Sequence, residues 1–355
     1  MQDYQIKTLI IRFSSVGDIA LSSPLIRVFH RRFPDAQIDF LVKEPYAELV
    51  ANNPAIAHVI TFPSGGSLRD LLAIRRRIRT EGYTLILDLH NNLRSRILCA
   101  GLRNVRRINK RIIARFILVY TGMDIYRWFN GSPGVTERYF ETVSDLEVED
   151  DHEGLDFPLA PGSGDRAGRL LTDAGLRPDV TSVGICPMAR HFTKMWPADR
   201  YAAIAAELSR QQQAQIMIFG SEEESLRCNV IAAMIRAQAP ETLVAVLAGK
   251  CSLADTAALM DSCAFVITND TGLMHVAAAR KRPLVAIFGS TTRQLGFFPT
   301  GTVNTVVEQL MLKCRPCSHI GRARCPRGHF RCMLDTQLPD VLEAVRSIRE
   351  THPAS

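Results

Sequence analysis

The feature that most constrains this chain is a twofold alternation of short apolar strands with amphipathic helices. Runs at residues 9–13, 38–42, 59–62 and 85–89 form a first series, and runs at 182–186, 216–219, 265–268 and 284–288 a second. Each is four or five residues long and nearly uninterrupted in its apolar character, which is the pattern of a strand covered on both faces. Helical periodicity fills the intervals. After Ser23 and Pro24, which suit a cap and a first turn, Leu25, Val28 and Phe29 lie opposite Arg27, Arg31 and Arg32. Residues 69–79 place Leu71, Ile74 and Ile78 inward, and residues 201–210 form a further helix. Between the two series the chain turns rich in Pro and Gly (Pro158, Pro161, Gly162, Gly164, Pro178) around one helical stretch. The reading is an α/β chain of two parallel-sheet domains, residues 1–160 and 182–355, joined by a linker at 161–181. Ligands then belong at the carboxyl ends of the strands, in the cleft between the halves.

Length fits this division, since 355 residues exceed one small core. With 46% hydrophobic and 22% charged residues, a disordered chain is excluded. No apolar run approaches the roughly 18 residues of a membrane span. Residues 1–7 lack the basic start and long apolar stretch of a signal peptide. Nine cysteines, five of them scattered through apolar segments, then read as reduced thiols in the cytoplasm. The net charge of +7 calls for an anionic partner without choosing among nucleic acid, phospholipid and phosphorylated substrate.

Four stretches carry candidate chemistry. Asn269-Asp270-Thr271-Gly272-Leu273-Met274-His275 follows a buried strand and opens an Ala-rich helix. Asp270 or Thr271 can cap that helix, Gly272 permits close approach, and the first-turn N–H groups favour a phosphate. His275 lies one turn in, toward the same mouth. The same residues also fit a plain capped helix with a partly buried histidine. Lys194-Met195-Trp196-Pro197 stands in the loop after the first strand of the second series, where a lysine can add full positive charge for a diphosphate. Gly220-Ser221-Glu222-Glu223-Glu224 follows the next strand, and an acidic side chain there can take a ribose diol or simply begin a helix. In the first half, Ser14-Ser15-Val16-Gly17-Asp18 contains neither GxGxxG nor a P-loop. It presents one carboxylate, Asp18, suited to a general base for an acceptor hydroxyl or to a turn.

Taken together, these stretches resemble the family 9 glycosyltransferases, the ADP-heptose:lipopolysaccharide heptosyltransferases, and their heptosyltransferase II branch. The resemblance runs over nearly the whole chain. It rests on residues 11–18, Asp88-Leu89-His90, Lys194-Met195-Trp196-Pro197, Leu247-Ala248-Gly249-Lys250, residues 269–279 and Phe288-Gly289-Ser290-Thr291. It implies a GT-B fold, with two Rossmann-like domains of which the first receives the acceptor and the second holds the nucleotide sugar. By position, Asp18 corresponds to the catalytic base. Lys194, Thr271 and Gly272 correspond to the diphosphate site, Asp270 to contacts with sugar hydroxyls and Glu224 to the ribose; His275 matches the motif. The activity implied is inverting transfer of heptose from ADP-heptose to the lipopolysaccharide inner core, with no cofactor and no metal.

Eight basic residues and no acidic one fall within residues 94–115. In such an enzyme Arg94, Arg96, Arg106 and Arg107 would face the anionic acceptor, and the block would meet the cytoplasmic face of the inner membrane as a peripheral contact. A merely solvated face is the other reading. The second cluster is Cys314-Arg315-Pro316-Cys317 with Cys325, Cys332, His319 and His329. Its second pair is Cys-x6-Cys, so a loop packed by reduced thiols is preferred over structural zinc. Three alternatives stay open: the same fold using another nucleotide sugar, a nucleic-acid-binding protein with a zinc site, and a non-hydrolysing sugar-nucleotide epimerase, which would lack an acceptor and its basic face. The second lacks any recognition module, and no nucleic-acid partner is expected.

Overall fold

The computed structural model describes residues 6–129 and 131–351. The first parallel sheet contains β1 (Lys7–Ile11), β2 (Gln37–Lys43), β3 (His58–Phe62), β4 (Leu85–Asp88) and β5 (Val105–Arg107), in the order 3-2-1-4-5. The second contains β6 (Ser182–Cys186), β7 (Gln215–Ile218), β8 (Val244–Val246), β9 (Cys263–Asn269), β10 (Leu284–Phe288) and β11 (Asn304–Glu308), in the order 11-10-9-6-7-8. Every pairing is parallel.

In both sheets the strand order reverses beside the first strand of the series. The chain runs outward from β1 to β3 and then crosses back to β4. It runs from β6 to β8 and crosses back to β9. Loops leaving such neighbouring strands diverge, which opens a crevice at the carboxyl ends of β1 and β4 and of β6 and β9.

The apolar runs build the cores as their patterns require. Leu9, Ile11, Leu41, Ile60 and Ile86 bury one face of the first sheet beneath Leu71 and Ile78 of helix Leu68–Thr80. That helix begins with a reciprocal Ser67/Asp70 cap, Ser67 Oγ donating to Asp70 Oδ2 at 2.7 Å. Val183, Ile185, Ile216, Ile218, Phe265 and Ile287 form the second core with Tyr201, Ile204 and Leu208 of helix Ala198–Gln212. Helix Ser23–Arg32 buries Leu25, Ile26 and Phe29, and Ser22 rather than Ser23 takes the cap position. The three strands that sequence patterning passes over, β5, β8 and β11, all lie at sheet edges: β5 and β8 are only three residues long, and β11 is half-buried with polar residues at both ends.

The chain divides into two compact units, residues 1–111 with 133–158 and residues 112–132 with 159–355. The excursion at 112–132 differs from the expected undivided segment 1–160. Its helix, Ile112–Thr121, sets Ala114 and Leu118 against Tyr126, Leu295 and Phe297 of the second unit. Ser132 Oγ donates to Gln294 O at 2.5 Å. Partners some 170 residues away leave no local signature. Within the expected linker, helix Ser163–Asp173 packs on helix Leu253–Met260 through Arg166 and Asp255, 3.0 Å apart. Among the described residues no helix is long and apolar enough to cross a membrane.

Candidate functional site

At the end of β1 the backbone keeps pairing for two more residues, with Arg12 N donating to Leu41 O and Lys43 N to Phe13 O. It then turns into the short helix Val16–Ala20, capped by Ser15. The turn brings Asp18 back over the strand end. Its Oδ1 lies 2.6 Å from Arg12 Nη2, and its Oδ2 accepts from Ser15 Oγ at 2.8 Å and Ser15 N at 3.2 Å. Arg12 is itself nearly buried and donates through Nη1 to Leu89 O at 2.5 Å. Burial pushes the Asp18 carboxyl up, but the Arg12 charge and the Ser15 hydrogen bonds outweigh it and hold Asp18 below its ordinary value. Tyr139 OH donates to the Asp18 carbonyl at 3.2 Å, fixing the helix from the other side.

His90 follows β4, the strand beside β1. Its ring meets Phe13 edge-on at 5.3 Å, and its Nδ1 is buried without a hydrogen-bond partner among the described residues. Burial, with the charges of Arg12 and Lys110, depresses its pKa to about 3 and keeps the imidazole neutral. The adjacent Asp88 serves the scaffold: it accepts from Asn91 N at 2.7 Å and Ser95 Oγ at 2.9 Å. Arg12 and His90 lie inside stretches that carry the family resemblance but received no role there, and Tyr139 lies outside them. Arg12 had one local signal, a charged residue standing directly after the apolar run Leu9-Ile10-Ile11 of β1.

In the second unit, three separated stretches meet at the ends of β6, β9 and β10. Asn269 is wholly buried and clamps the loop after β6, accepting from Trp196 N at 3.1 Å and donating to Pro187 O at 2.7 Å. Trp196 is anchored in turn by Nε1–H donation to Thr336 O at 2.9 Å. Lys194 is thereby held with Nζ 2.7 Å from Asp270 Oδ2, which also accepts from Thr291 Oγ1 at 2.6 Å. Asp270 therefore does not cap the following helix. Thr271 takes the cap position of Gly272–Ala279 without a side-chain cap bond, leaving first-turn N–H groups for an anion. His275 is buried within this unit rather than open toward solvent.

Glu224 stands after β7, where its Oε2 accepts from Ser221 N at 2.8 Å in a reciprocal cap. Behind the β10 loop lies Arg315. It donates to Gly289 O at 2.5 Å, Thr291 O at 2.8 Å and Gln309 O at 2.6 Å, and pairs with Glu308 at 2.6 Å. It supports the residue that hydrogen-bonds Asp270, and its position inside a cysteine motif had disguised that role.

The basic block at 94–115 is less free than its composition implies. Arg106 pairs with Asp145 at 2.5 Å, Arg107 with Asp88 at 3.6 Å and Arg111 with Glu141 at 2.5 Å, so the missing carboxylates come from elsewhere in the chain. Arg94 and Arg96 are exposed, with Arg94 over the Phe62 ring and Arg96 Nε donating to Asn91 Oδ1 at 3.0 Å. In the cysteine segment, Cys314 Sγ lies 3.8 Å from His329 Nε2 and Cys325 Sγ accepts from Phe330 N at 3.4 Å. Among the described residues no three His, Cys, Asp or Glu side chains are grouped to hold a metal.

Residues 71–325 match the family model described as glycosyltransferase family 9 (heptosyltransferase). Lipopolysaccharide heptosyltransferase 2 of Escherichia coli K12 is 28% identical over 96% of this chain and 98% of its own. Lipooligosaccharide heptosyltransferase 2 of Haemophilus influenzae is 29% identical over the same shares. Among solved structures, a family 9 glycosyltransferase from Veillonella parvula superposes with a TM-score of 0.79 at 21% identity, covering 98% of both chains. The E. coli ADP-heptose heptosyltransferase II structure gives 0.74 at 24% identity, over 98% of this chain and all of the other. The fold they share is the two-unit α/β, GT-B architecture expected here.

Proposed function

The chain belongs to glycosyltransferase family 9, and from that premise we propose that it transfers heptose from ADP-heptose to the lipopolysaccharide inner core with inversion. The observation that carries the proposal is the joining of Lys194, Asp270 and Thr291 beside the open amino end of helix Gly272–Ala279, at the switch point of the second sheet.

In the proposed reaction the acceptor hydroxyl attacks the anomeric carbon, the bond from that carbon to the diphosphate oxygen breaks, and the hydroxyl proton passes to Asp18. Charge builds on the departing diphosphate. Lys194 and the N–H groups at Thr271 and Gly272 supply positive charge already in position, so little reorganisation is needed as the bond breaks. Asp270 serves both as counter-charge to Lys194 and as acceptor for sugar hydroxyls, Glu224 takes the ribose diol, and His275 lines the same helix turn. Arg94 and Arg96 offer the most available cations for the acceptor's anionic groups, and Arg106 and Arg107 contribute once their carboxylate partners yield. The acceptor is lipid-borne, so the enzyme works as a peripheral protein on the cytoplasmic face of the inner membrane.

Incubation with ADP-heptose and a heptose-deficient core acceptor tests this reading. ADP release matched by a one-heptose gain in acceptor mass is the expected result. Transfer from another nucleotide sugar in place of ADP-heptose would overturn the donor assignment.

A further inference from the structure

Helix Ile112–Thr121 reads IIARFILVYT and is apolar on nearly every face. A helix of that kind belongs inside a protein or against something equally apolar. One side is used: Ala114 and Leu118 pack on Tyr126, Leu295 and Phe297. The opposite side is not. Ile113 is 75% exposed, Phe116 59% and Tyr120 69%, an outward stripe at helical spacing, and the chain continues past it to Trp128 at 72%. Exposed single apolar residues are ordinary, whereas a contiguous stripe with two large aromatics marks a surface that something covers.

What covers it is indicated by the charge beside it. Helix residues Arg115, Phe116 and Tyr120 form one wall of a groove of about 310 Å³ whose other wall is His319, Ile320 and Arg322. That second wall belongs to residues 313–331, which contain six basic residues and no acidic one. Arg315 and Arg331 are committed to Glu308 and Asp335. Lys313, Arg322, Arg324 and Arg327 are exposed. An apolar stripe bearing interfacial aromatics, flanked by exposed cations, is complementary to a bilayer surface with anionic headgroups. The apolar side chains enter the acyl boundary, and the cations stay at phosphate level.

We propose that the outer face of helix Ile112–Thr121, with Trp128 and the basic segment 313–331, is the surface by which this protein seats on an anionic phospholipid bilayer. The proposal rests on the membrane reading given above and relocates the contact from the arginines at 94–107 to the second unit. Hydrophobic insertion supplies the hold, and the cations select anionic lipid.

The chain's two tryptophans make the test direct, because Trp196 is buried and Trp128 is not. Purified full-length protein is mixed with phosphatidylcholine vesicles with or without one-third phosphatidylglycerol. Binding is read by co-sedimentation, and depth by blue shift and quenching with brominated lipid. The expected result is binding to the anionic vesicles alone, with a Trp128 shift that disappears in Trp128→Phe. Ile113→Asp and Phe116→Ser should each weaken binding by about tenfold or more. They should leave transfer to a soluble, deacylated acceptor intact. Both side chains already face water, and thermal melts check the fold; Tyr120→Ser is the milder second variant.

Absence of wild-type binding to any vesicle would overturn the membrane reading and this proposal together. Binding that survives Ile113→Asp and Phe116→Ser but fails in Arg94→Gln/Arg96→Gln would overturn this proposal and leave the membrane reading standing. Sedimentation showing a dimer that the apolar variants dissociate would also overturn it, assigning the stripe to a second copy.

Discussion

The Arg12 guanidinium and the Asp18 carboxylate stand 2.6 Å apart at the end of β1, both largely withdrawn from water. A carboxylate paired so closely stays ionised and aimed, at some cost to its basicity. Arg12 acts through Asp18 and is therefore a positioning residue. In Arg12→Met, burial acts on Asp18 without its main counter-charge, so its carboxyl moves up. The acid limb of kcat/KM should shift to higher pH, and stability should fall by about 3 kcal/mol, as expected when one partner of a buried pair is removed. A purely structural role would lower the melting temperature and leave the pH profile where it was.

Asp18→Asn keeps the shape of the side chain and removes its ability to accept a proton. Turnover should fall by about 10²- to 10⁴-fold, the usual range for a lost general base, while ADP binding followed by calorimetry stays near that of the wild type. Near-normal turnover in a folded variant would take Asp18 out of the base role.

Lys194→Met should act on the donor instead. Loss of a charge-assisted contact to the diphosphate costs about 1.5–3 kcal/mol, or roughly 10- to 150-fold in ADP affinity. Lys194→Arg should recover only part of this, because the planar fork must share the space that Asp270 and Thr291 now define around a single ammonium. Full recovery by arginine would mean that only net charge matters there.

The sheets and the positions of the candidate stretches at the strand ends were legible because they are local. The strand runs carry their own apolar signature, and Asp270-Thr271-Gly272 and Lys194 each sit directly after one. The assembly of those motifs was not legible. Nothing around Asn269 announces that it will join Trp196 to Pro187, and Arg315 lies among cysteines that draw the eye to metal chemistry. The basic block at 94–115 misled in the opposite sense. A linear count sees no acid, whereas the fold brings Asp88, Glu141 and Asp145 to three of its arginines. Local pattern leaves segment 112–132 with the first half; long-range packing draws it to the second unit.

His90 makes a prediction about pH. Its folded pKa of about 3 lies below the ordinary 6.5, so the unfolded chain takes up a proton at that residue well before the native one does. Stability from the neutral imidazole is complete above pH 6.5 and is lost progressively as pH falls toward 3. Urea unfolding at pH 7 and pH 5 should show the wild type losing about 1–2 kcal/mol more than His90→Gln over that interval. Equal losses in the two proteins would show that His90 titrates normally in the folded state.

Arg315 closes four carbonyls and one carboxylate around the β10 loop, and these partners differ in what they need. Glu308 is partly exposed and keeps some contact with solvent, whereas the carbonyls of Gly289 and Thr291 belong to buried residues. Arg315→Met should therefore cost about 3 kcal/mol or more. It should also raise the KM for the donor, because Thr291 loses the contact that holds it against Asp270. Glu308→Gln should cost less and leave the donor KM nearly unchanged, since Arg315 retains its carbonyl partners. Melting temperature and donor KM measured on both variants decide the matter. A Glu308→Gln variant more damaged than Arg315→Met would mean that the ion pair, rather than the bracing of the loop under Thr291, is what the arginine contributes.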